Sequence, residues 1–107
     1  MLESYRDLTD EQLIVALKNS GDPDGKIMDY ILDKYKPLVR KKANAVFLIG
    51  GETDDLIQEG MIGLFKAVRD YEKDRDASFS TFADLCISRQ IYTAVAVSYT
   101  HLRAHET

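Results

Sequence analysis

Apolar residues recur along the chain at steps of three and four, in four runs separated by polar or glycine-containing breaks. The first run is Leu13, Ile14 and Leu17, and its start is written in Leu8-Thr9-Asp10-Glu11-Gln12-Leu13. Thr9 as N-cap with Gln12 three residues on makes a capping box, and Leu8 and Leu13 stand where a hydrophobic staple would close. Gly21 marks the end of this helix. A second helix is predicted from Asp22 as cap and Pro23 in the first turn. Ile27, Met28, Ile31, Tyr35, Leu38, Val39, Ala43 and Val46 carry its stripe to about Phe47. Pro37 lies inside that pattern, lacks a backbone donor and predicts a kink or a split. Gly50-Gly51 supplies the next break. A third helix is expected from Thr53 or Asp54 to Asp70, with Asp54 and Asp55 in the first turn, where the helix dipole favours acids. Its core stripe is Ile57, Gly60, Met61, Leu64, Ala67 and Val68, running on to Tyr71. After a charged connection, a fourth helix starts near Ser80 or Thr81 and carries Phe82, Leu85, Cys86, Ile91 and Val95. No strand-like alternation persists anywhere, so the fold class is all-α, a compact bundle of about four helices.

Beyond Ala96 the pattern fails. Residues 97–107 carry neither a helical stripe nor caps, and they read as translated linker sequence. The expected division is a domain over residues 1–96 and a non-native or disordered tail over 97–107. His101 and His105 in that tail have a four-residue spacing that suits two metal ligands, but no third ligand accompanies them, so no metal or other cofactor is expected.

A chain of 107 residues suits one domain. It has no apolar run of membrane-spanning length, and Met1-Leu2-Glu3-Ser4-Tyr5-Arg6-Asp7 lacks the pattern of a signal peptide. Its single cysteine, Cys86, cannot form an internal disulfide, and a reducing cytoplasm is the simplest home. The net charge of -4 argues against simple electrostatic adhesion to DNA. The charge is uneven, however. Residues 35–48 hold Lys36, Arg40, Lys41 and Lys42 with no acid, whereas residues 52–76 hold eight acids against four bases. An acidic surface suits a basic protein partner.

With the core stripe of the third helix assigned, its opposite side carries Asp55, Gln58, Glu59, Ile62, Phe65, Lys66 and Arg69. Ile62 and Phe65 are apolar among charges, the composition of a protein-binding patch with a polar rim. The alternative is that Phe65 packs on a neighbouring helix. Gly60 and Gly63 each lower helix stability by about 1 kcal/mol relative to alanine, which suggests that another backbone comes close. On the fourth helix, Phe79 and Phe82 at three-residue spacing have the core as their default place. Arg89, Gln90 and Thr93 suit either an exposed polar face or base edges, since Arg pairs with guanine and Gln with adenine. The chain contains no GxxxxGK[ST], HExxH or GxSxG motif, and its adjacent carboxylates fit helix-cap and loop roles, so no enzymatic activity is expected.

The segment DLIQEGMIGLFKAVRDYE, with DKYKPLVRKKA before it and FSTFADLCISRQI after it, resembles bacterial RNA polymerase sigma factors of the sigma-seventy family. The likeness spans residues 8–95 and is nearest to the sporulation and stationary-phase type, sigma-H. It implies the domain that binds polymerase core and melts the promoter, without the domain that reads the minus-thirty-five element. By the resemblance, Asp55, Gln58, Glu59, Ile62 and Phe65 contact a coiled coil of the polymerase β′ subunit. It likewise implies that Phe79, Thr81 and Phe82 meet the non-template strand of the minus-ten element, and that Arg89, Gln90 and Thr93 read its upstream duplex end. An anti-sigma factor is a further candidate partner. The chain departs from primary sigma factors at Leu85-Cys86, where those carry a tryptophan pair, so the wedge between duplex and single strand is missing or replaced. The competing expectation is a helical regulator that binds polymerase or a sigma factor without touching DNA.

Overall fold

The computed structural model of the protein describes residues 5–47, 53–72 and 76–106. The helices that pack its core are α1 (Asp10–Ser20), α2 (Lys26–Phe47), α3 (Thr53–Asp70) and α4 (Phe79–Glu106), and no strand occurs among the described residues. The all-α bundle expected from the apolar periodicity is thus the fold. The Gly50-Gly51 break lies outside the described residues.

Local chemistry accounts for each helix start. Thr9 Oγ1 accepts the Gln12 amide at 3.1 Å while Gln12 Oε1 accepts the Thr9 amide at 2.9 Å, which completes the capping box of α1. Gly21 ends α1 in the left-handed region at φ 77°. Helix α2 begins later than predicted. Pro23 and Asp24 form a turn closed by the Gly25 amide donating to the Asp22 carbonyl at 2.9 Å. The Asp22 carboxylate then caps from outside, accepting from the Ile27 and Met28 amides at 3.1 and 3.0 Å. Pro37 neither splits nor ends α2. It and Asp33, the residue whose carbonyl loses a partner, both lie on the exposed side, so the vacated hydrogen bond is not left in the core.

Helix α4 starts at Phe79, earlier than the expected Ser80 or Thr81. Ser78 is its cap, accepting the Thr81 amide through Oγ and the Phe82 amide through its carbonyl. A distant carboxylate assists: Glu11 on α1 accepts the Phe79 amide at 2.7 Å. At its far end α4 stays helical through residues 97–106, where the sequence pattern predicts no helix. That stretch lacks an apolar stripe but also lacks glycine and proline, so nothing in it breaks a helix already propagating.

The core sits where α3 crosses α2 and α4, its most extensive neighbours. Leu56, Leu64, Ala67, Val68 and Tyr71 are buried in one cluster with Val39, Ala43, Ile87 and Ile91. Leu56 takes the buried place expected of Ile57, and Ile57 and Met61 are half-buried at the margin. Two glycines set the separation of the helices. A β-carbon on Gly60 would stand 2.6 Å from Val39 Cγ1, and one on Gly63 would stand 2.8 Å from the Cys86 carbonyl oxygen. At Gly63 the close backbone is that of α4 in the same chain, whereas at Gly60 only side chains of α2 and α4 come close.

Helix α1 closes the other end of the bundle. Leu13 and Ile14 are buried, and Lys18 donates to the Tyr71 carbonyl. Asp10 accepts from the Tyr35 hydroxyl and from Lys34. Beneath α1 the Phe79 ring meets Tyr35 and Tyr71 edge-on, with centroids 5.5 and 5.4 Å away.

Two outcomes are expected. In an exposed helix Gly→Ala stabilises, but Gly63→Ala drives a methyl into the backbone of α4. A loss of about 1–2 kcal/mol in urea denaturation is expected, overpacking outweighing propensity. Burial, and then the hydrogen bond to Asp10, raise the Tyr35 phenol above its usual value of 10.0. The folded state therefore favours the protonated phenol. Its contribution is complete below pH 10 and is lost as pH rises above the unfolded-state value. Tyr35→Phe should flatten the fall in thermal stability on the alkaline side of pH 10.

Candidate protein and nucleic-acid interface

Helix α3 turns its buried stripe toward α2 and α4 and leaves the other side in water. Asp55 and Gln58 are exposed there, with Lys66 and Arg69 beyond them. Phe65 is 46% exposed and Ile62 43%, large values for apolar side chains in so well-packed a helix. Phe65 therefore does not pack away on a neighbouring helix. Arg69 is turned to its neighbour Asp70, with Nε to Oδ1 at 2.7 Å, which leaves the first half of this face acidic. Glu59 is half-buried at the edge nearest α4.

On α4 the predicted residues divide. Phe79 is 0% exposed and enclosed by Tyr35 and Tyr71, so the stacking role expected of it has no accessible ring face. The cause is the position of the helix start: as the first residue of α4, capped by Ser78 and Glu11, it points under α1. The default reading of that phenylalanine as core is the correct one. Phe82, one turn later, is half-buried and tilts against Tyr71 at 5.7 Å. Thr81, Arg89 and Thr93 are exposed, and so are Leu85 at 46% and Tyr92 at 57%.

Gln90 lies between the two surfaces. Its Nε2 donates to Glu59 Oε1 at 2.9 Å and its Oε1 accepts from Lys66 Nζ at 3.2 Å. A shallow groove runs along this seam, lined by Gly63, Lys66, Cys86, Arg89, Gln90 and Thr93. Sequence reasoning assigned Glu59 and Gln90 to separate jobs and missed that they touch. The seven-residue spacing of Glu59 and Lys66, which puts both on one edge of α3, was the available signal.

Of the basic stretch in α2, Arg40 and Lys41 are exposed and Lys36 is half-buried, while Lys42 pairs with Asp84 of α4 at 2.5 Å. Among the described residues no three His, Cys, Asp or Glu side chains come together as a metal site. The side chains of His101 and His105 lie outside the described residues. No helix among the described residues is long and apolar enough to cross a membrane.

Comparison with known proteins adds the family. The chain is 48% identical over 93 residues to the RNA polymerase sigma-H factor of Bacillus subtilis (strain 168), covering 87% of this chain and 41% of that protein. It is 47% identical over 93 residues to the RNA polymerase sigma-H factor of Bacillus licheniformis, covering 87% and 40%. The RNA polymerase sigma-F factor of Bacillus licheniformis is 37% identical over 76 residues, or 71% of this chain and 30% of that protein. The chain thus spans about two fifths of the length of the sigma-H relatives. Sigma-70 region 2 matches residues 31–100, a stretch that takes in most of α2, all of α3 and the greater part of α4. With that match carrying both surfaces described above, the chain belongs to the sigma-70 region 2 family.

Proposed function

We propose that this domain is a transcription initiation module that docks on RNA polymerase core through α3 and holds the opened minus-ten element of a promoter along α4. The observation that carries the reading is the exposed Ile62–Phe65 pair with Asp55, Gln58 and Glu59 around it. An apolar centre ringed by acids suits a basic helical partner, and the family membership supports the coiled coil of the β′ subunit as that partner. Docking and DNA capture need no catalysis by this chain, and its place of action is the cytoplasm. An anti-sigma factor competing for the same acidic face is consistent with the proposal.

The nucleic-acid role falls to Phe82, Thr81, Arg89, Gln90 and Thr93. With Phe79 in the core, Phe82 is the aromatic left at the start of α4 to meet an unpaired base. Stacking on an aromatic side chain is worth about 1–3 kcal/mol per base, enough to bias a duplex toward its open form without ATP. Arg89 and Gln90 supply groups that pair with base edges and phosphates in the adjoining duplex. Net negative charge keeps the domain from binding duplex DNA on its own. The burial of Phe79 also gives some weight to a second reading, a polymerase-binding regulator that does not touch DNA.

Two measurements separate these readings. Asp55→Lys and Phe65→Ala should each weaken binding to polymerase core about tenfold in a fluorescence titration, because one reverses a rim charge and the other removes the central anchor. Little change in thermal stability should accompany either, since both side chains are exposed. Unaltered core affinity would remove α3 from the docking surface. Phe82→Ala should keep core affinity but lower the affinity of the core-bound domain for minus-ten single-stranded DNA about tenfold. Wild-type binding of that strand by Phe82→Ala, or none by the parent, would favour the DNA-free regulator.

A further inference from the structure

Gln90 meets α3 through two neighbours of opposite chemistry. Glu59 takes its Nε2 at 2.9 Å, and Lys66 gives to its Oε1 at 3.2 Å. A carboxylate only accepts and an ammonium only donates. The reversed amide would set oxygen against oxygen and NH2 against NH3+, so this pair dictates which end of the amide is which. Glu59 and Lys66 stand seven residues apart on one edge of α3, about 10 Å along its axis, and each holds one end of the Gln90 amide.

A primary amide has two N–H donors and two acceptor lone pairs. The clamp uses one of each. One donor and one acceptor remain, the set that the N7 and N6–H of adenine require for a bidentate contact. Gly63 makes the arrangement possible, since a β-carbon there would lie 2.9 Å from Gln90 Cβ and force α4 outward.

We propose that Lys66 is a positioning residue for base recognition, holding the Gln90 amide, together with Glu59, in the one orientation that matches the edge of adenine. This rests on the reading of Gln90 as a base-reading residue. Lys66 itself acts through Gln90 and not as a phosphate contact, a distinction that base preference exposes.

The test uses the full chain with saturating polymerase core and fork-junction DNA probes that differ only in one base pair at the upstream duplex end of the minus-ten element. The four pairs compete for binding. The parent chain should prefer a pair carrying adenine in the readable strand about tenfold, and Gln90→Ala should abolish the preference. Lys66→Met should lower it about threefold, the worth of one weakened hydrogen bond, while Lys66→Arg, which keeps a donor, should hold it within about twofold. A Lys66→Met chain that binds all four probes more weakly by one common factor would reveal a phosphate contact and overturn the proposal. Full retention of the preference in Lys66→Met would overturn it as well. If Gln90→Ala keeps the preference, base reading by Gln90 fails and the positioning role fails with it, an outcome distinct from either Lys66 result.

Discussion

The separation of α3 from its neighbours α2 and α4 is the constraint on which the rest of this domain depends. It is set by two positions without side chains. At Gly63 the carbonyl of Cys86 comes nearer than any β-carbon would allow, and at Gly60 the methyls of Val39 and Ile91 occupy the equivalent space. Their intrinsic cost to the helix, about 1 kcal/mol each, is offset by the packing this closeness permits. Ile87, Ile91, Leu64 and Val68 interlock because of it. The same closeness lets a side chain as long as that of Gln90 lie flat across the seam and bond to both Glu59 and Lys66. The proposed docking face on α3 and the helix proposed to meet DNA are therefore joined by polar contacts as well as by apolar packing.

Helix α1 contributes differently. Its apolar face is narrow, with only Leu13 and Ile14 fully buried. Much of its attachment is polar: Asp10 to Lys34 and Tyr35, Glu11 to the Phe79 amide, and Lys18 to the Tyr71 carbonyl. Three of these four contacts converge on the aromatic cluster of Tyr35, Tyr71 and Phe79. This short helix lies before the segment that matches the family, yet it caps α4 and covers that helix's first ring.

Much of this could be read from residue patterns. The capping box at Thr9, the third helix and its wet face followed from spacing alone, because each depends on contacts within a few residues. The errors have tertiary causes. Spacing gave Phe79 the core as its default place, and the family resemblance pointed it at DNA; the carboxylate of Glu11, 68 positions away, that helps fix its place under α1 is invisible in the sequence. Pro37 was expected to kink or split its helix, and it does not split it: α2 runs on through it, with Pro37 and Asp33 both on the exposed side. Helix α4 outruns its apolar stripe because loss of amphipathicity is not loss of helix. The bridge through Gln90 was invisible since it joins two helices in a register that only packing determines.

In the proposed reading one continuous helix carries both the ring that meets a flipped base and the amide that reads paired DNA. Phe82 and Gln90 are eight residues apart, so about 12 Å of rigid rod separates them, close to three or four base steps of a nucleic-acid strand. Such a rod neither stretches nor bends to suit its ligand. An additional nucleotide inserted between the melted and the double-helical parts of a promoter would put the two out of step, and no rotamer adjustment could bring them back into phase.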